Sequence, residues 1–233
     1  MAEHSAAMET PETKVPVKRV APLHGILMEL DQLVKDRRKH LRSLLEKRLK
    51  ITTDPASRRI FLQHGLAGAP IQIARAMAAA AGAKPAAAEA AVEDLLAFYA
   101  GKQVQAADGA EALIPKAPVV VVVVTWMSEE AALGLLESLG LAKDNVRIFS
   151  ASPGDPLFPD SNIWLDAMRS VGGSARRCLA VVDHEAACRA ALSTGLRCVA
   201  VPEDLTSYQD FGGAFRILDS LTELPAVWAE FDE

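Results

Sequence analysis

The sequence predicts an α/β fold in which a parallel sheet is interrupted, after its first strand, by an all-helical insertion. Pro118 to Val124 is a nearly continuous β-branched run, which is typical of a parallel strand buried on both faces. Beyond this run, apolar stretches of strand length alternate with helical periodicity, and that alternation predicts right-handed β–α–β crossovers. Between residues 31 and 115 no strand signal occurs. Together these observations predict a Rossmann-like sheet with a helical insert.

The elements before the long apolar run are one strand and several helices. A first strand is predicted near residues 24–30, and a highly charged helix over 31–50 carries apolar residues at helical spacing. Proline and glycine punctuation then separates three further helices, predicted over 58–66, 69–82 and 86–101.

The second half of the chain repeats a strand–helix unit. Ser128 is followed by two glutamates, which is typical of a capped helix N-terminus, so a helix is predicted from there to Gly140. The elements predicted after it are a strand over 146–149, a helix over 160–171, a strand over 178–182, a helix over 184–194, a strand over 197–201 and a last helix over 211–222.

These elements divide the chain into four parts. A polar, aperiodic start is typical of a flexible tail, and the strands belong to one α/β core that the helical insert splits in sequence. The predicted boundaries are a tail over 1–19, a core over 20–34 and 106–225, a helical cap over 35–105 and a C-terminal tail over 226–233.

Composition excludes several classes of function. The 233-residue chain has a net charge of -5, so no overall positive charge favours nucleic-acid binding. The longest apolar run, residues 117–124, is too short to span a membrane. The three cysteines are widely spaced without a metal-ligand pattern, and we expect them to be reduced, in a cytoplasmic compartment.

Two acidic residues mark the end of the first strand. Glu29 and Asp31 are two residues apart, so their side chains point to the same side of an extended chain. In an open α/β sheet, ligands bind at the carboxyl ends of the strands. The pair is therefore a candidate for acid–base or nucleophilic chemistry, although Asp31 is equally well explained as the cap of the following helix.

With its order of strand ends and its helical insert, the chain resembles the haloacid dehalogenase superfamily, in particular the branch of phosphoglycolate phosphatase and β-phosphoglucomutase with a C1 helical cap. The first motif of that family reads Phe-Asp-Leu-Asp-Gly-Thr-Leu-Val-Asp and matches Met28–Asp36. The resemblance places Glu29 at the nucleophile, which is Asp in the family, and Asp31 at the general acid. Gln32 and Leu33 replace the Gly-Thr pair.

The later motifs are met in part. Thr125 ends the second strand as the family requires, but Trp126 stands where Asn is usual. The third motif, of the Lys-Pro-Asp-Pro type, reads Phe-Pro-Asp-Ser from Phe158, so its lysine is absent. The fourth, a strand ending in two acids, keeps Asp183 while Val182 replaces the first acid.

The resemblance implies Mg²⁺-dependent hydrolysis of a phosphomonoester and assigns roles to six residues. It places Glu29, Asp31 and Thr125 in catalysis, Thr125, Trp126 and Phe158 at the substrate, and Glu29, Asp31 and Asp183 at the metal.

The departures from the motifs predict a weak or inactive phosphatase with a weakened Mg²⁺ site. Glu29 is one methylene longer than Asp, and a displacement of about 1 Å costs on the order of 10²-fold in rate. Loss of the lysine costs roughly another 10²–10³-fold. We expect Phe158 and Trp126 to fill space that phosphate would occupy. Lys143 and Arg147 are candidates to replace the lysine, although a solvated position is the simpler interpretation.

Three functions therefore remain open. The first is a protein with a degraded site that acts by binding a phosphorylated small molecule or a protein partner. The second is a working phosphomonoesterase that uses Glu29 and Asp31. The third is a structural or assembly subunit that uses the basic segment 35–59 to contact an acidic partner, although a solvated helix face also explains that segment. A structural role also accounts for Asp183, as a helix cap, and for His184, as a surface residue.

Overall fold

The structure is a computed structural model that describes residues 22–50, 59, 61, 68–151 and 158–230. The predicted tail over 1–19 lies outside this part of the chain. All six strands in it are parallel and form one sheet in the order β3-β2-β1-β4-β5-β6. The strands are β1 (Gly25–Glu29), β2 (Val120–Thr125), β3 (Val146–Ser150), β4 (Cys178–Val182), β5 (Arg197–Ala200) and β6 (Arg216–Ile217).

Helices cover both faces of the sheet and form the insertion after β1. The described α-helices are α1 (Arg37–Leu49), α2 (Pro70–Ala80), α3 (Pro85–Tyr99), α4 (Ala110–Leu113), α5 (Glu129–Ser138), α6 (Ser161–Ser170), α7 (Glu185–Ser193) and α8 (Leu224–Ala229). Short 3₁₀ turns lie at Leu30–Leu33, Ile114–Lys116, Ala175–Arg177 and Leu221–Glu223. The predicted α/β class with an inserted helical cap is confirmed.

The inserted helices form for local reasons. Pro70 and Pro85 begin α2 and α3 at the position where the ring's fixed φ suits a helix and the missing N–H is not needed. The alanines that follow favour helix and let α1, α2 and α3 pack closely together. The predicted helix over 58–66 falls mostly outside the described residues.

The chain leaves the core and returns to it at one hinge. Val34 and Ala106 form an isolated antiparallel bridge. Beside it, the Lys35 N–H donates to the Gln105 carbonyl (2.9 Å) and the Ala107 N–H donates to the Leu33 carbonyl (2.7 Å). Two crossing segments are thereby joined, and the helical cap begins and ends at adjacent points.

The sheet separates two apolar cores because side chains alternate between its faces. Ile26 and Met28 of β1 belong to the cluster that also includes cap residues such as Leu45 and Leu95. Leu27, from the same strand, belongs to the opposite cluster, which packs against α6 and α7. Strand β1 is fully buried between them, which fits its central place in the order.

Three predicted boundaries need correction. The charged helix begins at Arg37 rather than residue 31, because the chain first makes a 3₁₀ turn and then a left-handed residue at Asp36. The predicted helix over 211–222 is wrong: a glycine pair at 212–213 interrupts it, and Arg216–Ile217 instead pairs with β5. Residues 226–229, predicted as part of a tail, belong to α8, whose Trp228 is buried.

Candidate functional site

Four of the predicted site residues lie at the carboxyl edge of the sheet. Glu29 ends β1 in register with Val124 of β2, so Thr125 lies one position beyond it on the neighbouring strand. On the other side, Met28 pairs with Val181 of β4, and Asp183 directly follows the end of that strand. The side chains of Glu29, Asp31, Thr125 and Asp183 are all buried.

Asp183 is held by two arginines from the first turn of α1. The Nη2 atom of Arg37 and the Nη1 atom of Arg38 each donate to Asp183 Oδ2 at 2.5 Å. The Nη2 atom of Arg38 also donates to Asp183 Oδ1 at 3.1 Å. All three side chains are at least nine-tenths buried, so these ion pairs are largely shielded from water. Such charge-assisted, partly bidentate pairs are strong and geometrically specific.

A second carboxylate extends this arginine–carboxylate cluster. Glu203, just beyond β5, accepts from Arg38 Nη1 at 3.0 Å and from Arg37 Nε at 3.3 Å. Arg37 Nη1 also lies 3.7 Å from Asp31 Oδ2. The cap helix is therefore tied to the ends of three core strands through two adjacent side chains.

His184 adds a third polar neighbour to Asp183. Its Nδ1 atom lies 2.9 Å from Asp183 Oδ1 and 3.6 Å from Glu29 Oε1. The imidazole is almost completely buried, and its Nε2 atom has no hydrogen-bond partner among the described residues. The expectation that His184 is a surface residue is thus wrong, because its ring is enclosed beside Asp183 and Glu29.

The electrostatics of the cluster favour an ionised Asp183. Burial by itself raises the pKa of this carboxyl, but Arg37, Arg38 and the hydrogen bond with His184 outweigh burial and hold the pKa well below its usual range. Burial also acts against charge on Arg37, yet Asp183 and Glu203 raise the pKa of that guanidinium well above its ordinary value. Both shifts favour the charged forms of Asp183 and Arg37.

The pKa values of the other two acids, Glu29 and Asp31, shift upward instead. Burial raises the pKa of Glu29 and exceeds the lowering effects of His184 and Arg37. Burial likewise raises the pKa of Asp31, despite Arg37 and a hydrogen bond from Trp126. One oxygen of each carboxyl, Glu29 Oε1 and Asp31 Oδ1, has no hydrogen-bond partner among the described residues. Both acids thus favour the protonated form more than an exposed carboxyl does.

Trp126, which directly follows Thr125, contacts one acid of the site. Its indole Nε1 donates to Asp31 Oδ2 at 3.0 Å. Asp31 does not cap the following helix, because the N-cap residue of α1 is Asp36. Asp183 does not cap α7 either, because the N-cap position there belongs to His184 and lacks a side-chain hydrogen bond.

The cavity beside these acids is small. Glu29, Asp31, Arg37, Arg38 and His184 line it on the polar side, and apolar cap residues complete the wall: Leu41, Pro70, Ile73 and Leu95, with Gly68 and Tyr99. The space open to the centre of a water molecule is about 20 Å³. That volume holds a water molecule or two but not a phosphomonoester.

Thr125 and Phe158 lie beside the site without lining this cavity. The hydroxyl oxygen of Thr125 accepts a hydrogen bond from the Met127 N–H at 3.1 Å. Phe158 is buried in the cluster on the opposite face of the sheet, with Ala69 and Trp164. That Phe158 fills the space of a phosphate group stays a prediction.

The positive charge at this site comes from residues that the sequence interpretation assigned to a solvated face. Arg147 of β3 is exposed and donates to the carbonyl of Asp144, and Lys143 is also exposed. Arg37 and Arg38 are buried instead. The sequence holds no signal that singles them out, since the exposed Lys47 and Arg48 also have no acid three or four residues away.

The residues present do not fit a Mg²⁺ ion. Glu29, Asp183 and His184 place ligand atoms within 4.8 Å of one another, which is close enough for a metal. However, both oxygens of Asp183 accept hydrogen bonds from guanidinium groups, and Mg²⁺ demands near-ideal octahedral oxygen ligands with several waters. A divalent ion would also meet the repulsion of two buried arginine charges.

Comparisons with known proteins give a consistent fold and little sequence identity. No family model matches the chain. Protein CbbY of Cereibacter sphaeroides is 38% identical over 66 residues, which are 28% of this chain and 29% of that protein, so the match spans less than a third of either.

Solved structures match over far more of the chain. CbbY from Rhodobacter sphaeroides in complex with phosphate has a TM-score of 0.69 at 22% identity, covering 87% of this chain and 96% of that one. A haloacid dehalogenase-like protein of unknown function from Agrobacterium tumefaciens has a TM-score of 0.72 at 20% identity, covering 91% and 100%. A β-phosphoglucomutase from Clostridium difficile has a TM-score of 0.69 at 15% identity, covering 90% and 97%. At identities this low, the structural likeness shows the fold alone.

Within the described part of the chain, no helix combines the length and the apolar character that crossing a membrane requires.

Proposed function

We propose that this chain, which has the haloacid dehalogenase-like fold, has lost efficient phosphoryl transfer and acts by binding. One observation carries the proposal: both oxygens of Asp183, the acid expected to hold the metal, accept hydrogen bonds from Arg37 and Arg38. Phosphoryl transfer depends almost entirely on positioning and on neutralising charge with a metal and basic groups. With its metal-binding acid already paired, the site lacks the main element of that chemistry.

The state of Glu29 supports the same conclusion. A carboxyl that attacks phosphorus has to be ionised and free to approach it. Burial raises the pKa of Glu29, and its carboxyl faces a cavity of about 20 Å³ rather than an open pocket. A longer side chain with a raised pKa in so small a space is a poor nucleophile.

The ligand class that we propose is a phosphorylated small molecule. CbbY, a structural neighbour, has been solved with phosphate and, as a mutant, with xylulose-(1,5)bisphosphate. In this chain the cavity beside the acids has about 20 Å³ open to the centre of a water molecule, so binding requires that the cavity widen. Because burial raises the pKa of Glu29 and of Asp31, these acids would repel a bound anion less than exposed carboxyls do.

A working Mg²⁺-dependent phosphomonoesterase is the second candidate. The observation in its favour is that Glu29, Thr125 and Asp183 lie together at the carboxyl edge of three neighbouring strands, with Asp31 beside them. An assembly role for the basic segment 35–59 is supported less, because Arg42 and Arg48 form ion pairs with Glu46 and Asp94 of the same chain.

Phosphatase assays separate the first two functions. The wild-type protein is tested with Mg²⁺ against a panel of phosphomonoesters, beside Glu29→Asp and Glu29→Asp/Phe158→Lys, with Glu29→Gln as the matched control. We expect no turnover above the Glu29→Gln control for the wild type. Ordinary enzymatic rates in the wild type, abolished by Asp31→Asn, would overturn the proposal.

Titration calorimetry with inorganic phosphate and a sugar bisphosphate tests the binding part. We expect a measurable heat with the bisphosphate that disappears in Arg37→Ala/Arg38→Ala. If the wild-type protein shows no heat with either compound, a phosphorylated small molecule is not the ligand.

A further inference from the structure

We infer that Arg37 and Arg38 are a built-in substitute for the divalent cation of this fold, and that the same two side chains clasp the cap onto the core. The inference rests on the proposed function, since it names what has replaced the metal at the site. It also makes a separate claim about folding: the charge that neutralises Asp183 is part of the polypeptide and needs no ion from solution.

The charges match this role. Two adjacent guanidinium groups bring two positive charges to one carboxylate, at 2.5 Å from its Oδ2 atom. Glu203 balances the second charge, at 3.0 Å from Arg38. Guanidinium is the basic group best suited to buried carboxylates, because its fixed fork of donors satisfies both oxygens at once.

The position of the arginines in the chain explains the clasp. They follow the Val34–Ala106 hinge within four residues, in the first turn of α1, which is the first helix of the cap. Asp183 and Glu203 follow β4 and β5 of the core. Every ion pair of this arginine–carboxylate cluster therefore joins cap to core.

The ion pairs of the clasp are deeply buried. The side chains of Arg37 and Arg38 are 9% and 5% exposed, and that of Asp183 is 1% exposed. When one partner of such a buried pair is removed, the other is left as an uncompensated charge, which is strongly destabilising. Arg42 and Arg48 of the same helix form their pairs at partly exposed positions and provide a matched comparison.

Thermal unfolding of the wild-type protein is the first test. Its midpoint is measured after dialysis against EDTA and then with excess Mg²⁺ or Mn²⁺. We expect the three midpoints to agree within about 1 °C, because an ion that does not bind the native state does not stabilise it. A midpoint raised by several degrees with either metal would overturn the inference.

Removal of the arginines is the second test. Arg37→Ala/Arg38→Ala should lower the midpoint by roughly 10 °C, and Arg42→Ala/Arg48→Ala by only about 2 °C. In the first variant, but not in the second, Mn²⁺ should bind, as detected by electron paramagnetic resonance, and should restore part of the lost midpoint. Equal losses in the two variants, or no Mn²⁺ binding to the first, would contradict the inference.

A milder pair of variants covers the case in which the double substitution does not fold. Arg38→Met and Asp183→Asn, singly and combined, form a double-mutant cycle on one buried ion pair. We expect the combined variant to lose clearly less than the sum of the single losses, whereas an additive loss argues against the clasp. Phosphatase activity of the wild-type protein would refute the proposed function. The clasp would still be supported if the unfolding midpoint does not depend on metal and the double-mutant cycle shows coupling.

Discussion

The indole Nε1 of Trp126 donates to Asp31 Oδ2 at 3.0 Å. This bond joins the residue after β2 to the candidate general acid after β1, at the edge where a ligand would enter. The other oxygen of Asp31, Oδ1, has no partner among the described residues. The indole is therefore the hydrogen-bond donor that holds a largely desolvated carboxyl in place.

Replacing this donor should lower the free energy of unfolding measurably. Trp126→Phe leaves Asp31 Oδ2 without its indole hydrogen bond, and a buried polar group that loses its partner costs about 1–3 kcal/mol. The free energy of unfolding from urea titration gives the loss. In an Asp31→Asn background the same substitution should cost less, and an equal cost in both backgrounds would mean that the bond contributes nothing.

Glu29 should make the protein less stable as pH rises. Burial raises its pKa in the folded state against the effects of His184, Arg37 and Arg38, with Asp183 adding to the rise. Its protonated form stabilises the fold fully below the unfolded-state pKa of about 4.3, and this contribution disappears as pH rises through the higher folded-state pKa.

The neutral variant Glu29→Gln tests this. Measured between pH 4 and pH 9, the free energy of unfolding of Glu29→Gln minus that of the wild type should rise with pH and be positive at about pH 8. A difference that falls with pH would show that the folded state lowers the pKa of Glu29.

Asp183 should make the protein more stable as pH rises from acidic values. Its pKa is held well below the usual range by Arg37 and Arg38, so its contribution is present above about pH 4 and is lost as pH falls through the folded-state pKa. Asp183→Asn should cost about 3–5 kcal/mol at pH 7, since it leaves two buried arginines without their main partner. The measured cost should shrink below about pH 4.

An exposed pair provides the control for Asp183. Asp94 accepts from Arg48 at 2.6 Å where the arginine side chain is 44% exposed. Asp94→Asn should cost at most about 1 kcal/mol, because solvent screens the pair. If both substitutions cost the same, burial does not strengthen the arginine–carboxylate cluster.

Two glycines with positive φ separate the effect of backbone strain from that of close packing. Gly109 has φ +92°, and a Cβ there would lie 2.8 Å from Thr222 Cγ2 and 2.9 Å from the Thr222 amide nitrogen. Gly82 has φ +64° and no atom within 4 Å of the added Cβ. Gly82→Ala should cost about 1 kcal/mol from its backbone alone, and Gly109→Ala clearly more, by thermal unfolding.

The strands of the core were largely predictable because a buried parallel strand has a clear composition. The boundaries of β4, Cys178–Val182, agree with the prediction, and those of β2 and β5 differ by one or two residues. The prediction of a helix over 211–222 failed because its apolar spacing suits a helix, while the edge pairing of Arg216 with Val199 depends on a distant strand.

The acids of the site were predictable, and their partners were not. Glu29 and Asp183 follow from the rule that side chains at the ends of parallel strands meet. Arg37 and Arg38 lie within a run of basic residues, most of which face water, and local sequence does not say which two turn inward. That choice is made by the 3₁₀ turn after β1 and the left-handed Asp36, which set the direction in which α1 starts.

The hydrogen-bonded crossing at Val34 and Ala106 makes the core tolerant of changes in the length of the inserted cap. Because the exit and return points already lie side by side, the intervening segment acts on the core as a long closed loop. Doubling the length of such a loop costs only about 0.6 kcal/mol in closure entropy. Cap segments of different length can therefore be exchanged at this crossing with little cost in closure entropy, provided that the new segment keeps the two arginines that pair with Asp183 and an apolar surface for the cluster shared with β1.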